Sequence, residues 1–267
     1  MYKTFELCPE AELSPYKTFE CGQCFRWNDD GSGAYVGVAS GRAARVYAAD
    51  GAARIECADG DLDFWRVYLD MDTDYAAARE SVMIGDYLTE CAEYGAGIRI
   101  LRQDKWEALC SFIISQCNNI PRIKGIVEKL CALFGEAFNT PWGVRYSFPS
   151  ASRVALLEEP ELAPLRAGYR AAYIIGAARA VASGEVDLEY AASLCGNEAR
   201  KYLKGLNGVG DKVANCAVLF GLHRMDAFPV DVWIKRALKE HMPAGFDPAS
   251  LGEYAGLAQQ YTFFAER

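Results

Sequence analysis

The periodicity of the chain changes once, near residue 95, and this change limits the folds open to it. Before that point, short apolar runs alternate with turn signals. Residues 34–38, 44–48 and 53–57 read as strands, separated by Ser40-Gly41 and Asp50-Gly51. Turns of this type between strand-like runs mark antiparallel hairpins. A short helix is expected over 61–69, capped by Asp61 or Asp63, and another helical segment over 74–93. From residue 99 the spacing is helical. Trp106, Leu109, Cys110, Ile113, Ile114 and Cys117 define one buried helix face. Asn118-Asn119 break that pattern. Pro121 suits the first turn of a next helix carrying Ile123, Ile126, Val127 and Leu130. Further helices are expected near 169–183, 198–205, 211–222, 232–240 and 250–265. The expectation is an α+β chain: an N-terminal antiparallel β-sheet domain over 1–95, then a mainly α-helical domain over 96–267.

Within the helical part, Leu206-Asn207-Gly208-Val209-Gly210-Asp211-Lys212 reads as a glycine hairpin leading into a helix. Gly208 and Gly210 flank Val209, so the backbone can take positive φ and approach a partner closely. Val213, Cys216, Ala217 and Phe220 follow at helical spacing, which starts the helix near Asp211. First-turn amides have no helical partner and point outward, which suits a DNA phosphate. Arg200, Lys201 and Lys204 add positive charge ahead of the turn. An ordinary turn between two packed helices fits the same residues.

Lys212 at that helix start fits a surface lysine. It equally fits an amine nucleophile whose ionisation the positive helix end would bias. Asp231 stands inside the apolar run Phe228-Pro229-Val230-Asp231-Val232-Trp233. It reads as the N-cap of the following helix, as a catalytic carboxylate, or as both at once.

The formal net charge of −8 is opposite to that of most DNA-binding chains, but it is unevenly placed. Residues 1–98 hold 8 Lys+Arg against 18 Asp+Glu, and residues 99–267 hold 20 against 18. Any DNA face is therefore expected on the helical part. The N-terminus shows no secretion-signal pattern and no apolar run reaches membrane-spanning length, so a cytoplasmic, nucleoid-associated protein (nuclear in a eukaryote) is expected. Its ten cysteines are then reduced thiols, mostly buried. Cys21-Gly22-Gln23-Cys24 is a lone C-x-x-C without the two further ligands that zinc requires, so no metal is expected there.

Five separated stretches carry a resemblance to the 8-oxoguanine DNA glycosylases of the helix-hairpin-helix (HhH-GPD) superfamily. They are Gly22 to Trp27, Cys117 to Ile123, Gly168 to Tyr173, Gly208 to Cys216 together with Asp231, and Tyr254 to Gln259. The resemblance implies a TBP-like N-terminal domain and a bifunctional glycosylase and abasic-site lyase acting as a monomer on double-stranded DNA with oxidised guanine. It implies that Lys212 attacks the sugar and that Asp231 stabilises the developing positive charge. Gly22 would offer its carbonyl to the lesion's N7 hydrogen, a donor where guanine has an acceptor. Phe263 would stack on the flipped base opposite Cys216, and Gln259 would bond its Watson–Crick edge. Tyr169 would wedge the duplex. Asn118, Asn119, Arg122 and Arg170 would surround the vacated site and the opposite base. Gly208, Val209 and Gly210 would grip the backbone, with a monovalent or divalent cation at the hairpin when DNA is bound. No cofactor is implied. The chain has no cysteine after Cys216, which excludes the C-terminal iron–sulfur loop of the endonuclease III-like branch.

Two positions depart from the resemblance. Cys117 stands where an asparagine is expected, and Trp233 where a histidine is expected. Several alternatives share some of these residues. Gln259 and Phe263, four apart on one helix face, also fit ordinary packing. Tyr169 also fits a core position, whereas Arg170 is harder to bury. At the level of function, excision of other damaged bases and catalytically silent recognition of damaged DNA compete with the leading reading.

Overall fold

A computed structural model describes all residues, 1–267. The N-terminal part is a five-stranded antiparallel sheet built from β1 (Tyr2–Pro9), β2 (Trp27–Asp29), β3 (Tyr35–Ala39), β4 (Arg42–Ala49) and β5 (Ala52–Ala58), in the order β1-β5-β4-β3-β2. The three strands expected from sequence form its centre, with Val46 opposite Ile55 and Gly37 opposite Ala44. α1 (Pro15–Glu20) and α2 (Leu62–Tyr68) cover the sheet. Their aromatic residues build a small core, in which Trp27 stacks on Phe19 at 4.1 Å and donates to Tyr68 Oη at 3.0 Å. Gly37 lies under the Trp27 ring, where a Cβ would sit 2.1 Å from it.

The rest is helical, as expected: α3 (Tyr75–Ser81), α4 (Gly85–Tyr94), α5 (Lys105–Ser115), α6 (Ile120–Phe134), a small hairpin of β6 (Ala137–Thr140) and β7 (Gly143–Tyr146), α7 (Ala151–Ala155), α8 (Arg170–Ala182), α9 (Leu188–Ser193), α10 (Gly196–Leu203), α11 (Asp211–Cys216), α12 (Val232–His241) and α13 (Ala255–Glu266). α11 continues as a π-helical turn, Ala217–Gly221. The segment expected as one helix over 74–93 is two, broken at Val82–Ile84, and Gly85 starts the second at φ +70°. The large helical core also takes in Tyr75, Ala78, Val82, Leu88 and Cys91, all N-terminal to residue 95, and it reaches Cys21 and Phe25. No helix is long and apolar enough to cross a membrane. All ten cysteines are free thiols, and seven are buried.

Gln23 locks the segment bearing Gly22 to the rest of the chain. It is fully buried. Its Nε2 donates to the Thr18 and Arg99 carbonyls at 2.9 and 2.7 Å, and its Oε1 accepts from Leu101 N at 2.8 Å. Arg26 is also buried. It pairs with Glu107 of α5 at 3.6 Å and donates to the Tyr146 carbonyl. Burial pushes the Glu107 carboxyl up to about 7, against the pull of Arg26. A raised acid pKa in the folded state means that ionising Glu107 opposes folding. Its contribution to stability is therefore full below the unfolded value and is lost as pH rises through about 7. We predict that the unfolding free energy of the wild type minus that of Glu107→Gln decreases between pH 5 and 8 in denaturant titrations. A constant or rising difference would refute the assignment.

Candidate active site and nucleic-acid interface

The hairpin forms as the glycines require, but by a different division of labour. Gly208 takes φ +81° and lies flat against Tyr173, where a Cβ would come within 2.3 Å of the ring. Gly210, expected to share the positive φ, is instead extended (φ −84°, ψ −178°) and is the N-cap of α11. Nothing lies within 4 Å of where its Cβ would be, so this backbone faces outward. Val209 between them is buried and anchors the turn. Lys204, Gln116, Tyr169 and Tyr173 line an open groove with the hairpin.

Lys212 is in the first turn of α11 and points away from the hairpin, into the protein. It is half-buried, and its Nζ lies 3.5 Å from Ser115 Oγ at the end of α5. It lines a cavity of about 50 Å³ that also gathers Gly22, Cys216, Asp231, Gln259 and Phe263. These six residues come from four separate segments. Asp231 does cap α12: its Oδ1 accepts from the Trp233 and Ile234 amides, both at 3.0 Å. This fixes the carboxylate and leaves Oδ2 free to face the cavity. Burial pushes the Cys216 thiol up to about 11, with Lys212 opposing and Asp231 adding to the shift. A neutral, buried thiol is an apolar wall and a poor nucleophile. The amine of Lys212 is thus the nucleophile this cavity offers.

The remaining walls are suited to a planar, polar ligand. The Gln259 side chain is 5% exposed, and its Oε1 is buried without a hydrogen-bond partner. An orphaned buried acceptor costs about 1–3 kcal/mol, which a ligand donor would recover. Gly22, at φ +79°, is held from both sides, by Gln23 and by Gln260 Nε2 donating to the Cys21 carbonyl at 2.8 Å. The Gly22 carbonyl itself accepts no main-chain hydrogen bond. The Phe263 ring edge rests against Gly22, 3.1 Å from where a Cβ would be. At this size the cavity admits a few waters and no purine. The lining must move apart before a base can occupy it. Phe112, Phe220 and Pro229, with Cys21 and Gln260, complete the lining. The helical spacing of Phe220 from Cys216 could have revealed it. Phe112 and Pro229 carry no such signal.

We predict that Gln259→Ala and Phe263→Ala each weaken excision with little loss of stability, because Gln259 Oε1 forfeits no hydrogen bond and Phe263 is only partly buried. Loss of a base-stacking aromatic costs about 1–3 kcal/mol. Single-turnover excision and thermal unfolding check this. Unfolded variants whose folded fraction is fully active would make both residues core.

Of the two residues expected at the wedge, Tyr169 is exposed, as a wedge requires, and Arg170 departs from expectation. Tyr169 is the exposed member (53%), braced edge-on by Tyr173 at 5.7 Å and face-on by the Arg170 guanidinium at 4.5 Å. Arg170, expected to resist burial, is 6% exposed. Its donors reach the Gln116 carbonyl (2.8 Å from Nε), the Ala167 carbonyl (3.1 Å) and the Cys117 carbonyl (3.3 Å). In this form it holds the 116–117 corner rather than facing an opposite base. Cys117, expected on the helix face of α5, lies beyond its end, exposed and at φ +47°. Asn118 Nδ2 donates to the Ile114 carbonyl at 3.2 Å, and Asn119 caps α6 through Arg122 N at 3.0 Å. Arg122 is exposed, with one contact to the Arg166 carbonyl at 3.3 Å. Trp233 lies under the Arg236 guanidinium, at 4.9 Å, and Val232 beside it is 78% exposed.

The chain is similar to known proteins over most of its length. Residues 7–109 match the 8-oxoguanine DNA glycosylase N-terminal domain, and residues 110–249 match the HhH-GPD superfamily base excision DNA repair protein family. The chain is 30% identical over 288 residues to N-glycosylase/DNA lyase OGG1 of Arabidopsis thaliana, covering 96% of this chain and 78% of that protein. It is 42% identical over 155 residues to N-glycosylase/DNA lyase of Saccharomyces cerevisiae, covering 54% of this chain and 41% of that one. Among solved structures, it is similar to the 8-oxoguanine glycosylase/lyase of Clostridium acetobutylicum in complex with double-stranded DNA containing cytosine opposite 8-oxoguanine. The TM-score is 0.89 and the identity 30%, over 99% of this chain and 97% of that one.

Proposed function

Because the chain belongs to the HhH-GPD superfamily of base excision DNA repair proteins, we propose that it flips 8-oxoguanine out of duplex DNA, excises it and cleaves the resulting abasic site. The observation that carries this reading is the convergence of Lys212, Asp231, Gly22, Gln259 and Phe263 on one cavity. A base inside a duplex is out of reach of a side-chain amine, so extrusion precedes chemistry. Exposed, braced Tyr169 is the wedge that extrusion requires.

The Lys212 amine then attacks C1′ of the sugar. The C1′–N9 bond breaks, and its electron pair leaves with the base, which takes up a proton. Asp231 Oδ2 stabilises the positive charge at the sugar as that bond lengthens. The Lys212 nitrogen then loses a proton, the C1′–O4′ bond breaks, O4′ takes up a proton, and C1′ of the ring-opened sugar is left joined to Lys212 as a protonated imine. Removal of a C2′ proton then expels the 3′ phosphate by β-elimination. Lys212 supplies the nucleophile and Asp231 the stabilising charge, and no step is assigned to a cofactor or to a cation at the hairpin. We propose that it acts as a monomer, in the nucleoid or nucleus.

Borohydride trapping on single-lesion duplexes, each lesion against all four opposite bases, tests the reading. A reducible covalent adduct strongest with 8-oxoguanine is the expected result. An adduct with other lesions only would favour another damaged-base glycosylase. Binding without any adduct would mean silent recognition of damaged DNA.

A further inference from the structure

The cations next to the hairpin are already occupied. Arg200 Nη1 and Lys204 Nζ, from the last turn of α10 and just beyond it, both bind the same oxygen, Oδ1 of Asp211, the lysine at 2.8 Å. Asp211 is the first residue of α11, between outward-facing Gly210 and the nucleophile Lys212. Its side chain is 62% exposed, against 27% for Arg200 and 38% for Lys204. The carboxylate thus presents an oxyanion to both cations at the edge of the groove that Lys204 and Gly208–Gly210 line. Its acid is held below the ordinary carboxylate range by Lys204 and Arg200, so it is ionised at neutral pH. Lys201, one helical turn away, has no such partner and is exposed.

We propose that Asp211 is an internal competitor for the DNA phosphate. It occupies Arg200 and Lys204 in the free protein and must yield them when the backbone docks. The proposal rests on the DNA-repair reading above and concerns how that surface is regulated. Exposed ion pairs are weak, so the exchange is readily reversible. Its effect falls on every duplex alike, because phosphates carry no sequence or lesion information. Asp211 therefore lowers affinity for undamaged DNA while leaving lesion recognition to the cavity, and it raises the ratio of lesion to non-specific binding.

The test is fluorescence anisotropy with an undamaged duplex and an 8-oxoguanine duplex, from 50 to 200 mM salt. Asp211→Asn is expected to bind undamaged duplex about tenfold more tightly at the lowest salt. Its log–log salt slope should steepen by about 1–2, at roughly 0.9 per phosphate neutralised. Preference for the lesion should fall. Asp211→Ser, a second neutral side chain suited to a helix start, should reproduce the gain. In an Arg200→Gln, Lys204→Gln background most of the gain should vanish, because no cation remains to be released. If the two neutral variants bind no tighter than the wild type, the exchange is wrong and the DNA reading stands. A gain undiminished in the doubly neutralised background would reduce Asp211 to simple repulsion and overturn the exchange. If the wild type binds neither duplex, both readings fail.

Discussion

Replacing Lys212 by glutamine is expected to lower 8-oxoguanine excision by at least about a thousandfold and to abolish the borohydride-trapped adduct, with lesion binding kept within a few-fold. Loss of a nucleophile removes the covalent route altogether, and effects of this kind are among the largest that a single substitution produces. Binding survives because the groups that hold the duplex and the base lie on other residues. The hairpin presents its own backbone, Tyr169 protrudes from α8, and Gln259 and Phe263 lie on α13. Cys216 cannot take over, since burial keeps its thiol protonated. Single-turnover excision, trapping and anisotropy on one protein preparation check the three parts. Excision at the wild-type rate by Lys212→Gln would remove Lys212 from the mechanism.

Gly208→Ala is expected to cost about 2–5 kcal/mol of stability, combining a left-handed backbone forced on alanine with overlap of its Cβ on the Tyr173 ring. For a chain of this size that is a fall in Tm of about 5–15 °C. The folded remainder should also bind duplex weakly, because relief of the clash displaces the hairpin. Gly210→Ala provides the contrast. Its backbone is extended and its side is open, so stability should change by less than about 0.5 kcal/mol. A new methyl on the outward face should still weaken duplex binding. Thermal unfolding and anisotropy of the two variants separate the structural glycine from the contact glycine. Equal stabilities would contradict the described hairpin.

Much of the architecture was legible because local pattern and tertiary role agree. Turn signals bracket β3, β4 and β5, and helical spacing marks α5, α6, α8 and α12. β1 escaped notice because its burial does not alternate cleanly and its pairing with β5 carries a register shift between Glu6 and Cys8. β6 and β7 are four residues each, too short for a periodic signal. Cys117 continued the apolar spacing of α5 by sequence, yet Gln116 ends the helix and the chain turns left-handed there. Within the site, a surface lysine and a helix N-cap fitted Lys212 and Asp231 equally well, so the resemblance was needed to single them out, and the fold brings both to one cavity. The burial of Arg170 was not legible. Three main-chain carbonyls from residues 116, 117 and 167 bury the guanidinium, and only the folded chain brings them together. The ion pairs of Asp211 with Arg200 and Lys204 likewise exist only once α10 and α11 are packed.

The hydrogen bond from Gln260 to the Cys21 carbonyl joins residues 239 apart in the chain, and it has a consequence for the order in which competence is acquired during synthesis. Contacts of such separation carry a high loop-closure cost and form late. A nascent chain that has emerged as far as α11 already holds the hairpin and the lysine. It still lacks the aromatic ring and the amide of α13, and nothing yet holds the Gly22 loop from that side. Such a chain presents an amine to solvent but no chamber in which a sugar could be attacked. Excision is thereby expected only once α13 has docked, and an interrupted polypeptide is expected to be inert rather than indiscriminate.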